Sequence, residues 1–234
     1  MPFSTLLDLL FPSQCPVCGS ASDNRLYSPL CTACWNGIEK YGGPACGICG
    51  IPTVSTHTTL CESCMKGAPP FSRIFYYGIY AGVLKEAIHL LKFGGIRRLS
   101  EPLSALLSGL PLPAVQGILP VPLHKKRLRE REFNQTALIG RSLGKNLRVP
   151  LIPDSLRKER ETLPQTDVTG RERVKNVKGA FRVVDTIKGL DLLLVDDVIT
   201  TGSTVRECAK VLVKAGAKSV TVVALARSMP KQNR

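Results

Sequence analysis

Along this chain the apolar positions fall into two rhythms. Three short and almost wholly apolar runs, Ile118–Val121, Leu192–Val195 and Val220–Ala226, read as strands buried on both faces, the pattern of a parallel sheet. Between and around them, apolar residues recur at helical spacing. Val83, Leu84, Ala87, Ile88 and Leu91 share one helix face, and so do Val205, Cys208, Ala209, Leu212 and Val213. Gly216 stops the second of these helices. Cys208 therefore falls on a buried face and reads as a small core hydrophobe. The alternation predicts an α/β domain from about residue 72 to 234, a mostly parallel sheet of four or five strands with helices on both faces. No apolar run approaches the roughly 18 residues of a membrane span. The opening MPFSTLLDLLFPSQC is apolar in part, but it shows no basic leader and no small-residue cleavage site, so no signal peptide is expected.

Composition narrows the classes. The chain has 234 residues, enough for one ordinary domain plus a small unit, and 44% hydrophobic with 21% charged residues excludes wholesale disorder. Lys and Arg exceed Asp and Glu to give a formal net charge of +14. That surplus predicts attraction to an anion, either nucleic acid or a phosphorylated ligand. The bland alternative is a basic surface without a polyanionic partner.

The cysteines add the small unit. Eight of the nine form four CxxC pairs before residue 65, at Cys15/Cys18, Cys31/Cys34, Cys46/Cys49 and Cys61/Cys64. The intervals of 12, 11 and 11 residues between pairs read as an internal repeat. Each CxxC places two thiolates on one turn, and two such turns complete the closed tetrahedral shell of structural zinc. A disulfide framework is the competing account, but it requires an oxidising compartment, and no export signal is visible. The expectation is two structural zinc ions in a double ribbon over residues 1–68, in a cytoplasmic protein. Grouping in chain order is preferred, with Cys15, Cys18, Cys31 and Cys34 around one ion and Cys46, Cys49, Cys61 and Cys64 around the other. A cross-braced grouping stays open. Two tiny ribbons have little apolar core, so metal binding, of order 10–16 kcal/mol per site, would be folding energy. His57 would be a ninth donor for eight places and reads as a solvated loop residue.

The most informative stretch is LLLVDDVITTGSTV, Leu192 to Val205. A buried strand ends in two adjacent acids, Asp196 and Asp197, and the turn Thr200-Thr201-Gly202-Ser203-Thr204 then opens a helix. Ligands of open α/β sheets bind at the carboxyl ends of strands, and a helix start is a ready anion site. Gly202 permits close backbone approach to a phosphate, and the hydroxyls of Thr200, Thr201, Ser203 and Thr204 add donors. The carboxylates just upstream would reach sugar hydroxyls of the same ligand, so a phosphorylated ribose fits both halves. An ordinary N-cap with two solvated acids is the alternative. It does not explain why two acids follow a wholly apolar strand.

This segment resembles the 5-phosphoribosyl 1-pyrophosphate (PRPP) motif of type I phosphoribosyltransferases. More of the chain, including LLDLLFPSQCPVCG, YAGVLKEAIHLLKFGG, LPVPLHKKRLREREFNQ and TLPQ…RERVKNVKGAF, is similar to the ComF family of competence-associated proteins, essentially end to end. The resemblance implies that Asp196 and Asp197 bind ribose, that Thr200 to Thr204 bind the 5-phosphate, and that PRPP arrives with Mg²⁺. It further implies a phosphoribosyltransferase that passes the ribosyl phosphate to an acceptor and releases pyrophosphate. No acceptor motif and no general base are visible. The alternative from another class is a non-catalytic single-stranded DNA-binding protein that uses the same fold as a platform in DNA uptake. Competence-machinery proteins are further implied partners.

Two basic segments remain. The loop after LPVP carries Lys125, Lys126 and Arg127, and by the same resemblance it meets the diphosphate; a solvated basic turn is the plain alternative. The polar stretch 158–178 resembles the flexible loop that closes over the diphosphate, with Arg171 and Arg173 as its contacts; a hairpin without ligand is the alternative. The aromatic cluster Phe71, Phe75, Tyr76, Tyr77 and Tyr80 reads as packing between ribbon and α/β domain in preference to base stacking.

Overall fold

A computed structural model describes residues 13–54, 59–162 and 176–229. The cysteine-rich segment is two copies of one small device. In the first, a bridge between Gln14 and Ala21 closes a turn over Cys15 and Cys18, and helix α1 (Thr32–Asn36) starts at Cys31. In the second, a bridge between Ala45 and Pro52 closes a turn over Cys46 and Cys49, and helix α2 (Glu62–Lys66) starts at Cys61. The near-equal cysteine spacing is thus a true structural repeat.

The α/β part begins with strand β1 (Ile74–Ile79), helix α3 (Gly82–Lys92) and helix α4 (Ser100–Ser108). Strand β2 (Gly117–Pro120), helix α5 (Lys125–Arg131) and helix α6 (Gln135–Leu147) follow. Strands β3 (Leu156–Lys158) and β4 (Phe181–Val183) pair antiparallel as a small separate ribbon. Strand β5 (Asp191–Ile199), helix α7 (Ser203–Lys214) and strand β6 (Ser219–Arg227) complete the described chain. The main sheet has the order β1-β6-β5-β2 with every neighbour parallel. All carboxyl ends therefore face one side, where the loops gather.

The apolar runs form the middle of this sheet because both of its faces are covered. One face carries the cluster of Leu84, Ile88 and Leu91 from α3, Leu103 and Leu107 from α4, and Ile139 and Leu143 from α6. The other carries Val205, Cys208, Ala209 and Leu212 of α7 with Leu156 and Phe181 of the small ribbon. Cys208 is fully buried, as its helical spacing requires. Val213 departs from the expectation and is 45% exposed. At about 100° per residue it lies about 80° around the helix from Val205, at the rim of the apolar stripe.

The two cysteine devices bracket the edge strand β1. Cys15, Leu30, Cys31 and Trp35 join the α3–α4–α6 cluster, whereas Ile48 and Cys49 pack on the α7 cluster. The chain between them crosses the edge of β1. Tyr41 N–H donates to Tyr77 O at 2.7 Å and Ile74 N–H to Ile48 O at 2.8 Å, so exposed edge groups of the strand are used. Gly78 is required at this crossing, since a Cβ there would lie 2.8 Å from Glu39 O. The aromatics Phe75, Tyr77 and Tyr80 pack against the core. Among the described residues no helix is long and apolar enough to cross a membrane.

Candidate active-site cleft and metal centres

A cleft of about 1200 Å³ opens at the carboxyl ends of β5 and β2. Asp196, Asp197, Thr200 and Thr204 all line it. Strand β5 runs through the two acids to Ile199, longer than its apolar core, because its register with β6 continues to Ile199↔Arg227. A smaller concavity at the root of α7 joins Asp196 to Thr200, Gly202, Ser203 and Thr204. Gly202 caps α7 with φ +78, a left-handed conformation that glycine adopts at little cost, and no side chain caps the helix there. Thr201 and Ser203 share a hydroxyl–hydroxyl bond of 2.6 Å. Thr201 is exposed and does not line the cleft, unlike its neighbours Thr200 and Thr204.

The two acids have different environments. Asp197 is 4% exposed and firmly held: Lys92 Nζ lies 2.7 Å from Oδ1, and Gln135 Nε2 donates to Oδ2 at 2.6 Å. Asp196 keeps some exposure to the cleft, and its Oδ1 accepts the Asp197 amide at 2.9 Å. Burial pushes the Asp196 carboxyl up to about 7; the charge of Asp197 adds to this and Lys92 opposes it. One carboxylate is thus fixed by two partners, and the other is raised by burial and faces the cleft.

Lys92 and Gln135 lie inside the stretches YAGVLKEAIHLLKFGG and LPVPLHKKRLREREFNQ, but no spacing rule gave either a role in the site. Lys92 is the last residue of α3, and Gln135 the first of α6. The start of α6 is pinned to the end of β2: Thr136 Oγ1 donates to Val121 O at 2.7 Å, and Asn134 Nδ2 to the same oxygen at 3.1 Å. That anchoring aims the buried Gln135 at Asp197.

The basic segment differs from the expected loop. Residues 125–131, KKRLRER, are strong helix formers and fold as α5, which begins at His124 and buries none of its residues. Helical geometry then splits the basic residues. Arg127 and Arg131, one turn apart, line the cleft, whereas Lys125 and Lys126 lie outside it. Lys126 instead faces Glu161 at 3.3 Å. Lys158 of β3 is a further cation in the cleft wall. It donates to Thr162 Oγ1 at 2.6 Å, and burial, then Arg127, hold it below the usual lysine range. At the mouth Arg131 stacks over Phe93 and Arg97 over Phe133, each at 4.7 Å. Arg171 and Arg173 lie outside the described residues, as does His57.

The thiols group in chain order. The Sγ atoms of Cys15, Cys18, Cys31 and Cys34 lie within 4.8 Å of one another, and those of Cys46, Cys49, Cys61 and Cys64 do likewise. Cys18–Cys31 and Cys49–Cys61 are each 3.6 Å apart. A tetrahedral zinc with bonds of about 2.3 Å needs sulfurs about 3.8 Å apart, so both groups fit a closed structural zinc site with no position for water.

Comparisons agree with this architecture. A double zinc ribbon domain matches residues 6–69, and a phosphoribosyl transferase domain matches residues 141–234. The DNA utilization protein YhgH of Escherichia coli (strain K12) is 33% identical over 210 residues, covering 86% of this chain and 91% of that protein. Competence protein F of Haemophilus influenzae is 31% identical over 212 residues, with coverage of 85% and 90%. Competence protein ComFC of Bacillus subtilis is 28% identical over 213 residues, with coverage of 85% and 84%. The chain belongs to the ComF family of competence-associated proteins, with a double zinc ribbon joined to a phosphoribosyltransferase-type domain.

Proposed function

We propose that the cleft binds PRPP with Mg²⁺ and that the protein is a phosphoribosyltransferase. One observation carries the proposal: Asp196, Asp197 and the start of α7 converge on the same cleft, within reach of one phosphorylated sugar. Asp196 and Asp197 accept hydrogen bonds from the ribose hydroxyls. The segment Thr200 to Thr204 receives the 5-phosphate at the positive end of α7. Arg127 and Arg131 meet the diphosphate, and Arg171 and Arg173 keep the role that the family resemblance gives them. Transfer breaks the bond from ribose C1 to the diphosphate oxygen and forms a bond from C1 to the acceptor nucleophile. Pyrophosphate leaves with the electron pair, and the cations stabilise the charge that develops on it. The ribbon unit is taken as residues 1–68 and the transferase-type unit as 72–234. Two cysteine groups suited to zinc favour a reducing compartment, which supports a cytoplasmic location.

A second reading has its own observation. Lys125 and Arg129 on α5 point outward, away from the cleft, on a chain of net charge +14. That face suits the backbone of single-stranded DNA. Both readings are tested by calorimetric titration of the zinc-loaded chain with PRPP plus Mg²⁺ and, separately, with an oligonucleotide. Asp196→Asn should weaken PRPP binding tenfold or more, about 1.4 kcal/mol or above. Equal binding by variant and wild type rejects the site. Oligonucleotide affinity should fall with salt at a log–log slope of about −0.7 per phosphate contact, and absent or salt-insensitive binding removes the second reading.

A further inference from the structure

Three buried polar atoms on two side chains have no hydrogen-bond partner among the described residues. Arg227, the last residue of β6, is 2% exposed, yet its Nε and Nη1 make no hydrogen bond. Among the described residues it enters no ion pair with a carboxylate. The hydroxyl of Tyr76 on β1 is likewise buried and unbonded. Buried charges and hydroxyls are ordinarily paired, so these orphans mark a missing acceptor.

Both sit against the second cysteine group. The turn over Cys46 and Cys49 lies directly on β1: Ile74 N–H donates to Ile48 O, and the Tyr76 ring fills the space beside Gly50 so closely that a Cβ there would come within 2.9 Å of it. The ionisable groups that face Arg227 are Cys49 first, then Tyr76, Cys46 and Cys61. Four neutral thiols give a guanidinium nothing to pair with. Four thiolates around Zn²⁺ carry a net charge of −2 and accept hydrogen bonds through sulfur. The first group is built differently. Its Cys18 is exposed to solvent.

We infer that Arg227 and Tyr76 form a buried donor pair that the transferase-type sheet supplies to the second zinc centre, neutralising its tetrathiolate and locking it to β1 and β6. The two zinc centres are therefore unequal. The first packs on the sheet's helices through apolar contacts of Cys15 and Cys31, and the second also takes polar donors from the sheet. Arg227 is a positioning residue here, acting on the metal through the thiolates. The inference stands on the fit of the second cysteine group to zinc and not on the PRPP assignment.

The test is timed alkylation of the zinc-loaded full chain under excess chelator, with each cysteine read by peptide mass spectrometry. In the wild type, cysteines 15–34 should label before cysteines 46–64. Arg227→Met should speed labelling of cysteines 46–64 by about tenfold to a hundredfold, leaving cysteines 15–34 unchanged. Arg227→Lys, which keeps the charge, should recover part of that protection. Cys208, fully buried in the sheet core, is an internal control, because its labelling reports unfolding of the whole domain. If Arg227→Met exposes Cys208 as fast as cysteines 46–64, Tyr76→Phe decides, with selective acceleration of cysteines 46–64 expected. Wild-type labelling of cysteines 46–64 in Arg227→Met, or in Tyr76→Phe where that variant decides, overturns the inference.

Discussion

Replacing Lys92 by methionine removes the ammonium from a pair that is almost closed to water. The Lys92 side chain is 17% exposed and that of Asp197 6%, with 2.7 Å between the charged atoms. Breaking such a pair from one side leaves an uncompensated charge, which costs about 3–5 kcal/mol. Gln135 still donates to the carboxylate, so the lower end of that range applies, about 3 kcal/mol. Removing the other charge, in Asp197→Asn, costs less, about 1–2 kcal/mol, because Lys92 stands at the rim of the cleft and regains water. In the double variant no charge is stranded, so its loss should fall short of the summed single losses by about 2 kcal/mol. The assay is equilibrium urea unfolding with zinc saturating, followed by far-ultraviolet circular dichroism. Trp35 fluorescence is a poor probe here, since that ring stacks on Tyr27 inside the first ribbon and reports the ribbon. Additivity within about 0.3 kcal/mol would refute the coupling. The same arithmetic makes Asp197→Asn an impure probe of ligand binding and Asp196→Asn the cleaner one.

Two further outcomes follow from the same geometry. The Asp196 carboxyl, raised to about 7 by burial and then by Asp197, holds its proton more tightly folded than unfolded, where about 3.9 applies. Its contribution to stability is therefore full below about pH 4 and is lost as pH rises toward 7. Asp196→Asn should be more stable than wild type at pH 8, by an order of 1–3 kcal/mol after allowance for the open cleft, and the gap should narrow toward pH 5.5. Urea unfolding across that range checks this, and a gap independent of pH contradicts it. Gly78→Ala brings a methyl group 2.8 Å from Glu39 O and 2.9 Å from Leu84 Cδ2. It should destabilise by about 1–3 kcal/mol, read as a lowered thermal midpoint, and an unchanged midpoint would mean that the crossing chain does not rest on β1.

What the sequence disclosed follows from how local each feature is. Each cysteine group closes within 20 residues, and the acids and the hydroxyl-rich turn lie within nine, so spacing alone reveals them. Strands β2, β5 and β6 announce themselves because burial on both faces demands unbroken apolar runs. Strand β1 does not, because its tyrosines are shared between the core and the ribbons, and its partner β6 is about 150 residues away. Helix α5 has no apolar stripe to betray it, only propensity. Strands β3 and β4 have three residues each, too few for a period. Lys92 and Gln135 reach Asp197 across 105 and 62 positions, so only the fold brings them to the site.

The position of the ribbons changes what the metal centres are for. An appended module would leave the α/β sheet complete, with its own covered edge. Here the sheet ends at β1, and the chain leading from the first cysteine group into the second lies along that edge, with Tyr41 bonded to Tyr77 and Ile48 to Ile74. One ribbon joins the apolar cluster on one sheet face, and the other joins the cluster on the opposite face. An unprotected parallel edge invites pairing with other chains, and a ribbon lacking metal has too little core to hold its shape against the strand. Folding of the ribbons thus closes the sheet edge. The strand so closed, β1, pairs with β6, and β6 pairs with β5, which carries Asp196 and Asp197. Two strand pairings therefore separate the ribbons from the acids of the cleft, and the register of those pairings is the physical link between ribbon packing and site geometry.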